Sequence, residues 1–343
     1  MKAVLLPGNK EVIVADRPIP KPAQGEVLVK LKASAICRSD MSLFYGNPVV
    51  GGDAATTGTI IPGHEPAGEV VELGEGAKNV KVGDRVAVYL AIGCGHCHYC
   101  KSGYSYLCSE WKCLGFDIDG GDADYMVVPD WVCLKLPDEM SYAAGTLLLD
   151  NVGTQYNTQK RLGVSGATTV AMFGIGPMGS AGVLIAKARG ARVIAVDLVD
   201  HRLEMAKQLG ADIVINGASE NVVQQIKDLT YGEGVDIAID ASGSPSGQNM
   251  AMDCARKQGA VGFIGESKST TISPSDQFLR KMLTVIGGWY FPIGEYDEIV
   301  HFVMQHKINL EQYITHRFPI TDAPEAYRLF DEQKTEKAIF VWD

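Results

Sequence analysis

The chain has 343 residues, 46% of them hydrophobic and 21% charged, which argues against a disordered polypeptide and suits two domains better than one core. A formal net charge of −10 leaves no basic face to hold a phosphate backbone, so no nucleic acid partner is expected. Residues 1–10 carry one short apolar run broken by Pro7 and Gly8, and the most apolar region, 170–188, is interrupted by Gly174, Gly176, Pro177 and Gly179; neither a secretory leader nor a membrane span is predicted, and the cytoplasm is the expected location.

In chain order, residues 1–152 read as β-rich and loop-rich. Short strand patterns such as 26–33 (EVLVKLKA) and 85–90 (RVAVYL) alternate with Gly- and Pro-rich turns. Residues 153–291 then follow a different rhythm. Buried strands are predicted at 169–173, 192–197, 213–215, 236–240 and 260–264, with helical spacing at 201–209 and 222–229 between them. This alternation predicts an α/β doubly wound parallel sheet. Residues 292–343, with a helix near 295–305 and a last strand near 337–341, are expected to return to the first domain.

Eight cysteines without an export signal, in C-x-x-C spacing, favour metal ligation over disulfides. Cys94, Cys97, Cys100 and Cys108 gather four thiols in one loop, a spacing that wraps a tetrahedral zinc ion with no open position, as structural sites do. His96 and His98 lie in the same loop and read as exposed, since four thiolates already complete the shell. Cys37, His64 and Asp150 are dispersed; individually each reads as a small buried or satisfied polar residue, and spacing alone does not assemble them.

The strand pattern 169–173 runs into Gly174-Ile175-Gly176-Pro177-Met178-Gly179 and then a helix. The first glycine permits the tight turn, the second lets backbone approach a pyrophosphate, and the third allows close helix–strand packing, while the helix N-terminus offers free N–H groups to phosphates. Asp197 ends the next strand near the ~20-residue offset at which a carboxylate meets the adenosine ribose, which favours NAD over NADP. Arg202 lies near the same ribose or on an exposed helix face; both readings stand.

The segments Cys37-x-Ser39-Asp40, Gly63-His64-Glu65-x2-Gly68-x5-Gly74 and Val82-Gly83-Asp84-Arg85-Val86, with the four-cysteine loop and the glycine loop, occur here in one order. Together they resemble the zinc-containing medium-chain alcohol and polyol dehydrogenases over essentially the whole chain. The resemblance implies a GroES-like catalytic domain, a Rossmann domain, catalysis in the cleft between them, and a homotetramer, with a homodimer as the alternative. It implies a catalytic zinc held by Cys37, His64 and Asp150, with Glu65 beside the metal as a candidate transient ligand, and an open position for water or alcohol. Ser39 takes the role of passing on the substrate proton, Asp40 orients the ligating histidine, and Arg38 contacts the pyrophosphate. Ser42 stands where some relatives continue the relay with histidine.

The function that follows is hydride transfer between a secondary alcohol or polyol and NAD, giving the ketone, with two zinc ions per chain. Phe44, Tyr45, Tyr89, Trp111, Phe116 and Trp289 are candidates for pocket lining or for core. Asp117, Asp119, Asp122 and Asp124 form either a solvated edge or, in part, acceptors for polyol hydroxyls. The competing classes are a zinc-free NADPH-dependent enone or quinone reductase, disfavoured by the metal residues, and a zinc-fold binding or structural protein without turnover, disfavoured by Ser39 and the open ligand set.

Overall fold

A computed structural model of the chain describes residues 1–47 and 58–342. The chain divides into two units, one formed by Met1–Asp150, Pro292–His301 and Asn309–Asp343, the other by Asn151–Phe291 and Phe302–Ile308.

The first unit is built around the strand Glu26–Ala35, whose sequence EVLVKLKASA buries Val27, Val29, Leu31 and Ala33 at the two-residue period of a pleated strand. It pairs antiparallel with Pro66–Leu73, Tyr125–Pro129 and Lys337–Val341. The sheet extends through Arg85–Val88 to Cys133–Lys135 on one side and through Lys337–Val341 to Ile314–Phe318 on the other. Gly68 lets the first two strands approach: a Cβ there would lie 2.3 Å from the Lys30 carbonyl oxygen.

The second unit holds a six-stranded, all-parallel sheet in the order Ile213–Asn216, Arg192–Asp197, Thr169–Phe173, Val235–Asp240, Ala255–Phe263, Thr284–Gly287. The strand TVAMF is buried almost throughout, as a strand covered on both faces by helices must be. The helices Pro177–Ala188, Asp200–Gln208, Val222–Asp228 and Pro245–Cys254 fall between successive strands. Strand order reverses between Thr169–Phe173 and Val235–Asp240, which opens a crevice beyond their carboxyl ends. The expected fold class, a β-rich domain with a doubly wound parallel sheet, is what the chain forms.

Two elements differ from the sequence expectation. The strand expected at 260–264 begins earlier, at Ala255, because its first half carries exposed Lys257 and Gln258 and a register shift that conceal the apolar pattern. The helical stretch Tyr142–Leu147, Leu148–Gly153 and Thr154–Leu162 had no clear sequence signal, and its middle six residues form a π-helix. Asn151, Gly153 and Thr154 are weak helix formers, which hides the element from periodicity. Among the described residues no helix is long and apolar enough to cross a membrane.

Candidate metal and nucleotide sites

Cys37 and His64 meet because of strand register. Cys37 follows the end of Glu26–Ala35, His64 and Glu65 precede Pro66–Leu73, and these strands pair antiparallel with Ser34 opposite Pro66. Asp150 arrives from the π-helix Leu148–Gly153, a helix form often found at functional positions. Ligand atoms of Cys37, His64, Glu65 and Asp150 all lie within 4.8 Å of one another. Cys37 Sγ is 3.9 Å from Asp150 Oδ2, and Ser39 Oγ lies 3.3 Å from both Cys37 Sγ and His64 Nε2.

Asp40 braces both ends of this set. Its Oδ1 lies 3.0 Å from His64 Nδ1 and its Oδ2 accepts a 2.8 Å hydrogen bond from the Cys37 amide, with the carboxylate fully buried. A carboxylate on Nδ1 selects the tautomer that carries its proton there and turns the Nε2 lone pair toward Cys37 and Ser39.

The electrostatics describe a buried site crowded with acidic groups. Burial pushes the Cys37 thiol up, an effect that His64 opposes and Glu65 and Asp150 reinforce. Burial also pushes Glu65 up to about 7, with Lys337 opposing and Asp150 adding to it. Burial alone would lower His64, but Asp40 and Cys37 outweigh it and hold the imidazole well above its ordinary value. A divalent cation among these donors would offset both the burial and the mutual repulsion of the acidic groups, and one thiolate, one imidazole and carboxylates suit zinc.

One partner in this site had no sequence signal. Lys337, fully buried at the start of the last strand, places Nζ 2.7 Å from Glu65 Oε1 and 2.6 Å from Oε2. The two residues are 272 positions apart, and a lysine opening a strand pattern gives no hint of such a pairing.

The four loop thiols Cys94, Cys97, Cys100 and Cys108 form a second set within the same 4.8 Å limit. Backbone amides point at the sulfurs: Cys97 N to Cys94 Sγ at 3.4 Å, Cys100 N to Cys97 Sγ at 3.5 Å, and Cys94 N to Cys108 Sγ at 3.5 Å. Amides of His96 and Cys97 pull the Cys94 thiol down to about 6, whereas burial pushes Cys100 up to about 12. The donor set fits a closed tetrahedral zinc shell. His96 and His98 are exposed, with His96 Nδ1 2.9 Å from the Cys94 carbonyl oxygen.

In the second unit, Gly174 has φ +83°, and a Cβ on it would lie 2.7 Å from Ser242. A Cβ on Gly179 would lie 1.9 Å from the Gly174 carbonyl oxygen, while one on Gly176 would meet nothing within 4 Å. The first and third glycines are thus required by the fold, and the second leaves room above the backbone for a ligand. Pro177 opens the helix Pro177–Ala188, and the Met178 carbonyl accepts a 3.0 Å bond from Gln155. Asp197, buried, accepts from the Ile175 amide at 2.6 Å and the Val199 amide at 2.9 Å. Arg202 stands in the helix Asp200–Gln208, and Arg38 is exposed beside Cys37.

The acidic residues of 117–124 each accept hydrogen bonds from within the protein. Asp117 accepts from the Cys113 amide at 2.7 Å and Asp119 from the Ile61 amide at 3.0 Å. Asp124 accepts from the Lys2 amide and Trp342 Nε1 at 2.6 and 2.9 Å, and Asp122 from Ser34 and Tyr327. These contacts satisfy loop backbone and buried side chains, with Asp122 fully buried and Asp119 exposed. Of the candidate aromatics, Phe44, Tyr89 and Phe116 are buried, and the Phe116 ring lies 5.5 Å from that of His64.

Residues 23–138 match the alcohol dehydrogenase GroES-like domain and residues 177–305 the zinc-binding dehydrogenase domain. The chain belongs to the zinc-containing medium-chain alcohol dehydrogenase family. It is 36% identical to the uncharacterized zinc-type alcohol dehydrogenase-like protein YphC of Escherichia coli (strain K12), covering 99% of this chain and 98% of that protein. It is likewise 36% identical to the L-threonine 3-dehydrogenase of Pyrococcus horikoshii, over 94% of this chain and 93% of that one. The structure of the short chain alcohol dehydrogenase rspB from E. coli CFT073 complexed with NADH superimposes with a TM-score of 0.90 at 27% identity, covering 100% of this chain and 99% of that chain.

Proposed function

We propose that the chain is a zinc-dependent dehydrogenase that moves a hydride between a secondary alcohol or polyol and NAD, giving the ketone. The observation that carries this reading is the convergence of Cys37, His64, Glu65 and Asp150 within 4.8 Å, with the Ser39 hydroxyl 3.3 Å from two of them. In this reading residues 1–152 and 292–343 form the GroES-like catalytic domain and 153–291 the Rossmann domain. The same reading includes a homotetramer, with a homodimer as the alternative, as the family resemblance implies, and a cytoplasmic location.

Cys37, His64 and Asp150 would hold a catalytic zinc, with Glu65 beside it, and the four loop cysteines a structural one. A zinc ion in the first set supplies Lewis-acid polarisation of an alcohol or carbonyl oxygen. The protein's own part is positional and protonic. Asp40 bonds to His64 Nδ1, which would leave Nε2 free to serve as a ligand when zinc is bound. Ser39 Oγ is the polar hydroxyl beside that ligand set, and it takes the substrate proton and hands it outward. A nicotinamide held by the glycine loop would supply the hydride acceptor, whose chemistry is the cofactor's.

Gly174, Gly176, Pro177, Met178 and Gly179 would cradle the pyrophosphate with Arg38, and Asp197, with Arg202 near it, would meet the ribose. A carboxylate at Asp197 repels a 2′-phosphate, which favours NAD. A threonine dehydrogenase among the relatives agrees with a secondary alcohol, since the threonine hydroxyl sits on a secondary carbon. The test is a screen of NAD and NADP reduction across secondary alcohols, diols, sugars, cyclitols and β-hydroxy amino acids, alongside metal analysis. Zinc-dependent turnover of at least one of these with NAD is expected; turnover undiminished in metal-free protein rejects the reading.

A further inference from the structure

The two segments that carry Cys37 and His64 meet at one buried residue away from the ligand set, Asp122, whose side chain holds the first and whose backbone helps hold the second. Asp122 is fully buried, and its Oδ1 accepts a 2.6 Å hydrogen bond from Ser34 Oγ. Ser34 lies three residues before Cys37 on the strand Glu26–Ala35. The other oxygen, Oδ2, accepts a 2.9 Å bond from Tyr327 Oη on the helix Ala323–Asp331. The Tyr327 ring in turn stacks on Phe44 with centroids 5.9 Å apart, and Phe44 ends the short helix that Asp40 begins.

The same stretch of chain grips the turn that leads into His64. Gly120 N donates to the Ile61 carbonyl at 2.7 Å, Asp122 N to that of Pro62 at 2.9 Å, and Gly121 N to that of Gly63 at 2.7 Å. Gly63 has φ +94°, and a Cβ on it would fall 2.3 Å from Asp122 Oδ1, so the turn before His64 is shaped around this carboxyl group.

We propose that Asp122 is a positioning residue for the metal, setting the separation of Cys37 and His64: its carboxyl group fastens Ser34 and Tyr327, and its backbone stretch 120–122 holds the Gly63 turn that packs against that carboxyl group. It touches neither ligand. A ligand set works only when its supports are fixed to within about 0.5 Å, and a buried carboxyl group satisfied by two hydroxyl donors is a stiff support. Without it, two buried hydroxyls lose their acceptor, and the strand end or the turn must shift to find another. The proposal rests on the reading of Cys37, His64, Glu65 and Asp150 as a zinc site.

The experiment follows zinc leaving the purified holoenzyme for a chromogenic chelator, with Cys37→Ala and Cys94→Ser assigning the phases to the two sites. The unsubstituted protein comes first: an ion held only by the loop thiols would overturn the zinc reading and, with it, this proposal, before any Asp122 variant is compared. Given two ions, Asp122→Leu should speed release from the Cys37 set on the order of tenfold, the lower end of outer-shell effects. Asp122→Asn should do so less, because its amide oxygen keeps one hydroxyl partner. The loop-thiol phase should not change, and kcat should fall while KM for NAD holds. Should the leucine variant fail to fold, the double variant Ser34→Ala/Tyr327→Phe, which keeps Asp122 but removes both donors, should show the same faster release from the Cys37 set. Folded variants that release the ion and turn over as the parent does would overturn the proposal, as would equal acceleration of both phases.

Discussion

Lys337 and Glu65 form a bidentate ion pair with both side chains buried, joining the last strand to the residue that follows His64. Burial works against the charged form of each, and the partner's charge offsets it. Removing one member of such a pair leaves the other uncompensated. Lys337→Met should therefore lower stability by about 3–5 kcal/mol, and Lys337→Arg by clearly less. Denaturant midpoints at neutral pH measure this; a methionine variant as stable as the parent would show that the pair contributes nothing.

Asp122 predicts a pH dependence. Burial pushes its carboxyl up to about 7, with Asp40 adding to the effect and the hydroxyls of Ser34 and Tyr327 opposing it. Because the folded value exceeds the unfolded one, the folded state holds a proton that the unfolded state has released. The associated stability is fully present below about pH 4 and is lost as pH rises through about 7. Relative to Asp122→Asn, the parent should lose stability across this window. Parallel stability–pH curves for the two proteins would contradict the shift.

Asp197→Asn should raise KM for NAD by roughly 10–100-fold, the equivalent of one charge-assisted hydrogen bond, and weaken the rejection of NADP. Because Asp197 also accepts from the Ile175 and Val199 amides, part of the loss should appear as a lower thermal midpoint. Steady-state kinetics with both nucleotides decide the matter; unchanged constants would remove Asp197 from the ribose site.

The glycine loop separates into two kinds of position. Gly179→Ala forces a Cβ against the Gly174 carbonyl and should destabilise the fold along with nucleotide binding. Gly176→Ala has space for its Cβ and should leave the melting temperature near that of the parent while weakening NAD binding. Thermal melts paired with NAD titration distinguish the two; equal loss of stability in both variants would refute the distinction.

Cys94→Ser should reduce bound zinc from about two ions per chain to about one and lower thermal stability, with kcat of the folded fraction largely kept. Metal analysis and kinetics on the same sample test it. Selective loss of turnover in a stably folded variant would deny the loop a structural role.

What the sequence made legible was local. The glycine loop and the thiol loop each lie within one short window, so spacing alone announces them, and the parallel sheet follows from repeated apolar strands. Cys37, His64 and Asp150 are brought together by strand register and a π-helix, neither of which has a local signature, and family resemblance was needed to join them. Lys337 and Asp122 escaped for a different reason. Both are charged residues in unremarkable patterns, and their partners lie more than 200 positions away in the case of Glu65 and Tyr327. Asp122 was further masked by its acidic neighbours, which together look like a wetted edge.

The pairing of Ser34 with Pro66 constrains how this chain can vary in length. Adding or deleting one residue between Ser34 and Cys37, or between His64 and Pro66, would change the short lead from the paired strands to one ligand and displace it while leaving the other in place. Length changes in the connections beyond those short spans carry no such penalty. Among related chains, insertions and deletions should therefore collect in the connecting loops, and the spans 34–37 and 64–66 should keep a constant count even where their residues differ.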